Sequence, residues 1–123
     1  MRYEISKDTV TDTKTGLVWQ RAVSEERFTW AESKAYAAQL QLDGGGWRVP
    51  EKEELETIVD KARNNPAIDT EAFPNAPSEF FWSASPPADD SNGAWDVDFS
   101  NGNTYYDDIS IAYRVRCVRS TNI

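Results

Sequence analysis

The sequence predicts an α+β domain, and three observations carry that reading. First, Gly44-Gly45-Gly46-Trp47-Arg48-Val49-Pro50 separates two helical patterns. Glycine tolerates the positive φ that closes a helix, and Pro50 pushes Val49 out of the α region. Second, Leu55, Ile58, Val59 and Ala62 recur at the spacing of one buried helical face. Third, Trp95, Val97 and Phe99 alternate with Asp96 and Asp98 ahead of Asn101-Gly102, the pattern of a half-buried strand entering a hairpin.

At 123 residues the chain suits one domain over residues 1–123, large enough to bury a core without staples. A 39% hydrophobic and 12% aromatic content fits a folded globule. The net charge of −8 argues against nucleic acid, anionic glycans and anionic membrane surfaces as partners. No apolar run is long enough to span a bilayer. Met1-Arg2-Tyr3-Glu4 shows no signal-peptide core, so the expectation is a cytoplasmic protein or an excised domain of an exported one. Histidine is absent and Cys117 is the single cysteine. That excludes an internal disulfide, a Cys/His zinc site and any histidine-activated nucleophile.

Along the chain, Thr9-Val10-Thr11-Asp12 and Leu17-Val18-Trp19 flank Thr13-Lys14-Thr15-Gly16 as a hairpin. Thr29-Trp30-Ala31-Glu32 has the form of a capping box. It opens a helix from Trp30 to about Leu42, with Trp30, Ala37 and Leu40 inward and Tyr36 flanking. A second helix runs roughly from Lys52 to Arg63, acidic in its first turn and basic in its last, matching the helix dipole. Asn64-Asn65-Pro66 stops it. Residues 67–78 read as loop, Phe80-Phe81-Trp82-Ser83-Ala84 as a strand, and residues 86–93 as an exposed loop. If Asn101-Gly102 forms a two-residue turn, Asp96 faces Asp107, Asp98 faces Tyr105, and Val97 meets Tyr106 on a buried face. A last strand from Tyr113 to Arg119 sets Val115 and Cys117 against Arg114 and Arg116 on its opposite face.

Several of these segments together resemble a known family. They are Asp12-Thr13-Lys14-Thr15-Gly16-Leu17-Val18-Trp19, Trp30, Gly46-Trp47-Arg48-Val49-Pro50 with Glu54-Leu55, and Phe81-Trp82-Ser83-Ala84-Ser85. Ala94-Trp95-Asp96-Val97-Asp98-Phe99 with Asn101-Gly102 and Val115-Arg116-Cys117-Val118-Arg119 complete the set. In order and spacing this is similar to the C-terminal domain family of the Legionella collagen-like adhesin. The resemblance implies a C-type-lectin-like fold akin to the formylglycine-generating enzymes: two helices on a twisted antiparallel sheet, with first and last strands close together. It implies an envelope-associated or secreted protein, and an adhesive or ligand-binding role served by the segment from Trp82 to Arg119. Many relatives carry a cysteine where Ala37 stands, bridging to the one matching Cys117; this chain lacks that bridge. Glu51 replaces a helix-capping Thr common in relatives, a loss of about 1 kcal/mol.

The candidate site is the stretch Pro86 to Asp108, with six Asp and no Lys or Arg. Its ligand-binding residues are Trp82, Asn92, Trp95, Asp96, Asp98, Asn101, Asn103, Tyr105 and Tyr106, residue types that binding surfaces favour. Asp89, Asp90, Asp96 and Asp107 form a candidate calcium set; otherwise no cofactor is expected. The plainer reading of the stretch is a solvated acidic edge. Trp19, Trp30 and Trp47 read as core, Cys117 as a small buried hydrophobe, and Arg114, Arg116 and Arg119 as partners for the second helix's glutamates. The function expected is a non-catalytic recognition module for an unknown protein or glycan. The alternatives are a structural or oligomerisation domain of an envelope protein, or a carboxylate-dependent hydrolase.

Overall fold

The computed structural model describes residues 2–85 and 92–120. Within them the order is β1 (Tyr3–Ile5), β2 (Thr9–Asp12), β3 (Leu17–Gln20), α1 (Trp30–Gln39), a 3-10 turn (Leu42–Gly44), α2 (Lys52–Thr57), β4 (Phe80–Trp82), β5 (Gly93–Asp98), β6 (Asn103–Asp108) and β7 (Val118–Ser120). The α+β class holds, but the strands form two antiparallel sheets instead of one, ordered β1-β2-β3-β7 and β4-β5-β6. The first and last strands share a sheet as its opposite edges, because the β2–β3 hairpin lies between them.

The hairpin forms as expected, with Val10 opposite Trp19 and Gly16 at φ 77° in its turn. Thr29 and Glu32 make the reciprocal cap that starts α1: the Glu32 amide donates to Thr29 Oγ1 and the Thr29 amide to Glu32 Oε1. The helix stops at Gln39, short of Leu42, where Leu40 turns extended and a 3-10 turn takes over. Ser33 and Ala37 are its buried face, while Trp30 is half-buried. Trp47, Arg48 and Val49 alternate buried, exposed, buried. Arg48 pairs with Val118 by two backbone hydrogen bonds of 2.9 and 3.0 Å, so this short segment extends the sheet beyond β7. The Trp47 indole N–H donates to the Leu42 carbonyl at 2.7 Å.

The second helix is half the expected length. It ends at Thr57 because Thr57-Ile58-Val59 is a run of β-branched residues and the Asp60 amide leaves to bond the Ala67 carbonyl. Asp60 then caps its own turn, accepting from the Ala62 amide. Lys61 and Arg63 therefore do not sit on a helix end, and Ala62 is exposed. At the helix start the Glu51 amide donates to Glu54, so the missing Thr leaves that side of the cap intact.

The expected closing strand is also divided. Only Val118–Ser120 is regular strand; Tyr113 bridges Phe28 and Arg114 bridges Phe81, so the segment stitches the two sheets together. Both faces of this segment are therefore covered. Val115 and Cys117 join a cluster with Val18, Ala37, Trp47 and Val49 under α1. Arg116, on the other face, is buried too, its guanidinium donating to the carbonyls of Gln20 and Arg21 at 2.7 Å and lying over the Phe73 ring. The arginines do not pair with the second helix. Arg114 binds Glu79, Arg119 binds Asp43, and it is Arg48 that engages Glu54. The larger core cluster joins Trp19, Leu55, Ile58, Phe73, Phe81, Val97 and Phe99 between the sheets and α2.

Candidate functional site

The β5–β6 hairpin builds the site, and its register differs from the two-residue turn. Asp98 pairs with Asn103, Val97 with Thr104, Asp96 with Tyr105, and Trp95 with Tyr106. The loop is longer because Phe99 and Ser100 are claimed by other strands of chain. The Phe99 amide donates to Glu79, and the carbonyls of Phe99 and Ser100 accept from Ala67 and Asn65. Gly102, at φ +83°, then closes the turn onto the Asp98 carbonyl at 2.7 Å. The slip is of two residues, so every side chain keeps its face. Asp96 and Asp107 thus meet diagonally instead of directly across the strands. Tyr106, expected on the buried face opposite Val97, is 55% exposed and packs edge-on against Trp95 at 5.2 Å.

The aspartate face is the surprise. Alternation placed Asp96 and Asp98 on a solvated side, yet both sides of β5 are covered: Asp96 has no exposed surface and Asp98 is 8% exposed. The cover comes from β4, where Trp82 stands opposite Asp96 and Phe80 opposite Asp98, and from Tyr113 on the stitching segment. Phe80 and Tyr113 stack at 5.0 Å, and Tyr105 tilts against Phe80 at 5.8 Å. Over them opens a cleft of about 410 Å³ lined by Phe80, Trp95, Thr104, Tyr105, Tyr106, Asp107 and Tyr113.

Asp107 is the carboxyl on this cleft, and Asp96 lies behind it. Tyr113 O–H donates to Asp107 Oδ2 at 3.2 Å. Both oxygens of Asp96 are buried without a partner that carries its own hydrogen. Its carboxyl is pushed up to about 9, first by burial, then by a proton shared with Asp107 and by the charges of Asp107 and Asp98. Among the described residues no Lys or Arg pairs with Asp96, Asp98 or Asp107. Burial, and then those same carboxylates, push the Tyr113 phenol up to about 12.

The remaining expected site residues divide by role. Trp82 is fully buried, its indole N–H on the Phe28 carbonyl, so it backs the cleft without presenting a ring to solvent. Asp98 and Asn101 hold the turn, accepting from the amides of Ser100 and Asn103. Asn103 bonds the Tyr105 hydroxyl and accepts from Lys61. Asn92 is exposed, and its carbonyl accepts from Ile109 at the far end of the hairpin. Asp89 and Asp90 lie outside the described residues. Among those described, no group of three metal-ligating side chains forms around Asp96 and Asp107.

Three wall residues, Phe80, Thr104 and Tyr113, escaped the sequence reading. Phe80 was legible, since it must face away from the core residue Phe81. Tyr113 arrives from outside the hairpin and carries no local signal.

Comparison with known proteins agrees with the segments that pointed to a family. A protein-family model, the Lcl C-terminal domain, matches residues 8–119, which takes in the cleft and its backing. No curated protein matches the chain. With the match running over nearly its whole length, the chain belongs to the Lcl C-terminal domain family.

Proposed function

We propose that this domain is a non-catalytic recognition module of a secreted or envelope-associated protein, built on a C-type-lectin-like fold and binding its ligand in the aromatic cleft over Asp107. One observation carries the reading: a fully buried Asp96 without a hydrogen-bearing partner sits behind the cleft carboxyl. A buried carboxyl whose neighbours are other carboxyls is costly, and a domain serving only as packing has no use for one. Exposed tyrosines on a rigid strand supply contact area at low entropic cost, as recognition surfaces do. Tyr105 and Tyr106 are 41% and 55% exposed on β6. The family supports an adhesin-type role.

The test is a glycan and protein array probed with the native chain and with Tyr105→Ala and Tyr106→Ala. The reading expects a partner whose binding both changes weaken while the melting temperature stays within a few degrees. Binding insensitive to both variants places the ligand elsewhere.

A further inference from the structure

Resting on the reading of this cleft as the binding site, we propose that the feature it recognises is a primary ammonium group on an alkyl chain, such as a lysine side chain or a free alkylamine. Asp107 is the carboxyl on the cleft, and among the described residues no Lys or Arg pairs with it. The Tyr113 hydroxyl donates to Asp107 Oδ2 at 3.2 Å, which holds this carboxyl as an acceptor at the cleft wall. A carboxyl set among aromatic walls suits an organic cation. A divalent metal takes several oxygen ligands, and among the described residues no group of three metal-ligating side chains forms here.

The walls match such a cation. Phe80, Tyr105 and Tyr113 line the cleft together with Asp107, and aromatic rings attract ammonium groups and pack against methylenes. With Asp107 Oδ2 already accepting from Tyr113, the two-oxygen fork of a guanidinium fits less well than an ammonium, whose donors each bond a single oxygen. Lys52 lies over the Trp95 ring at 5.2 Å but is paired with Glu53, and the chain's net charge of −8 draws cations in.

The experiment is a tyrosine and tryptophan fluorescence titration of the full chain at neutral pH, paired with melting curves. The probes are n-butylammonium chloride, a lysine peptide acetylated only at its N-terminus with the side-chain amine free, guanidinium below denaturing concentration, calcium chloride, and sodium chloride as ionic-strength control. Butylammonium and the peptide should bind saturably and raise the melting point above the sodium control. Equal affinities assign a free amine; a much tighter peptide assigns a protein lysine. Asp107→Asn should weaken both by on the order of tenfold or more, since it removes the accessible charge. Glu4→Gln, an equal loss of charge at an exposed position on β1 away from the cleft, should bind within a few-fold of the parent. Saturable binding of calcium or guanidinium but not butylammonium overturns the proposal, as does equal loss in both variants. Should array binding depend on Tyr105 and Tyr106 while no amine binds, the cleft stands and the ammonium falls.

Discussion

Replacing Asp96 by Asn should abolish a fall in stability with pH that the parent shows between pH 5 and 8. Unfolded, Asp96 titrates near pH 3.9, so the open chain has lost that proton throughout the window. Folded, burial and Asp107 hold the group protonated up to about pH 9. The unfolded state therefore binds fewer protons, and stability drops as pH rises, by at most about 1.4 kcal/mol per unit. Three units set a ceiling of about 4 kcal/mol; relaxation and water entry around a buried carboxyl reduce this to roughly 2 kcal/mol. The other shifted groups act outside the window. Glu54, held low by Arg48, and Glu79, held low by Arg114 and Arg27, give stability that is lost only at more acid pH. Tyr3, Tyr113 and Cys117, all raised by burial, act above it. Urea unfolding followed by tryptophan fluorescence at matched ionic strength gives the slope, with a constant m-value as the check on two-state behaviour. Asp96→Asn should be flat across the window and more stable than the parent at pH 8. A parent already flat, or a variant with the parent's slope, refutes the assignment of a buried shared proton.

Three further outcomes follow from the packing. Cys117 has no exposed surface and burial pushes its thiol up to about 12, so native protein should label slowly with a thiol reagent, and Cys117→Ser should cost roughly 1–3 kcal/mol. Trp47→Ala should cost about 3–5 kcal/mol in urea unfolding, since the ring is 5% exposed under α1 and its N–H is satisfied; a variant melting like the parent removes Trp47 from the core. Gly102→Ala adds a Cβ at φ +83° and 2.6 Å from Val59 Cγ1, for a cost of about 2–4 kcal/mol. The pair with Val59→Ala should show coupling, the contact part of the Gly102→Ala cost vanishing; strict additivity in the double mutant contradicts the contact.

Local chemistry could be read from the chain alone. The capping box at Thr29 and Glu32, the β2–β3 hairpin and the Trp47 bond to the Leu42 carbonyl all depend on residues within a few positions of one another. The family was legible for a similar reason, since its segments recur in fixed order across residues 8–119. Tertiary structure decided whatever required a distant partner. The helix pattern from Leu55 to Ala62 was cut at Thr57 because the Asp60 amide found Ala67. The Asn101-Gly102 turn widened because Phe99 and Ser100 bonded Glu79, Ala67 and Asn65. The alternation of Asp96 and Asp98 was read correctly as one face, but its burial was not. Period-two patterning says which side chains share a face; it says nothing of what another element lays over that face. Here Phe80, Trp82 and Tyr113 cover it. That cover turns an acidic face into one with a buried carboxyl, Asp96, whose pKa burial raises.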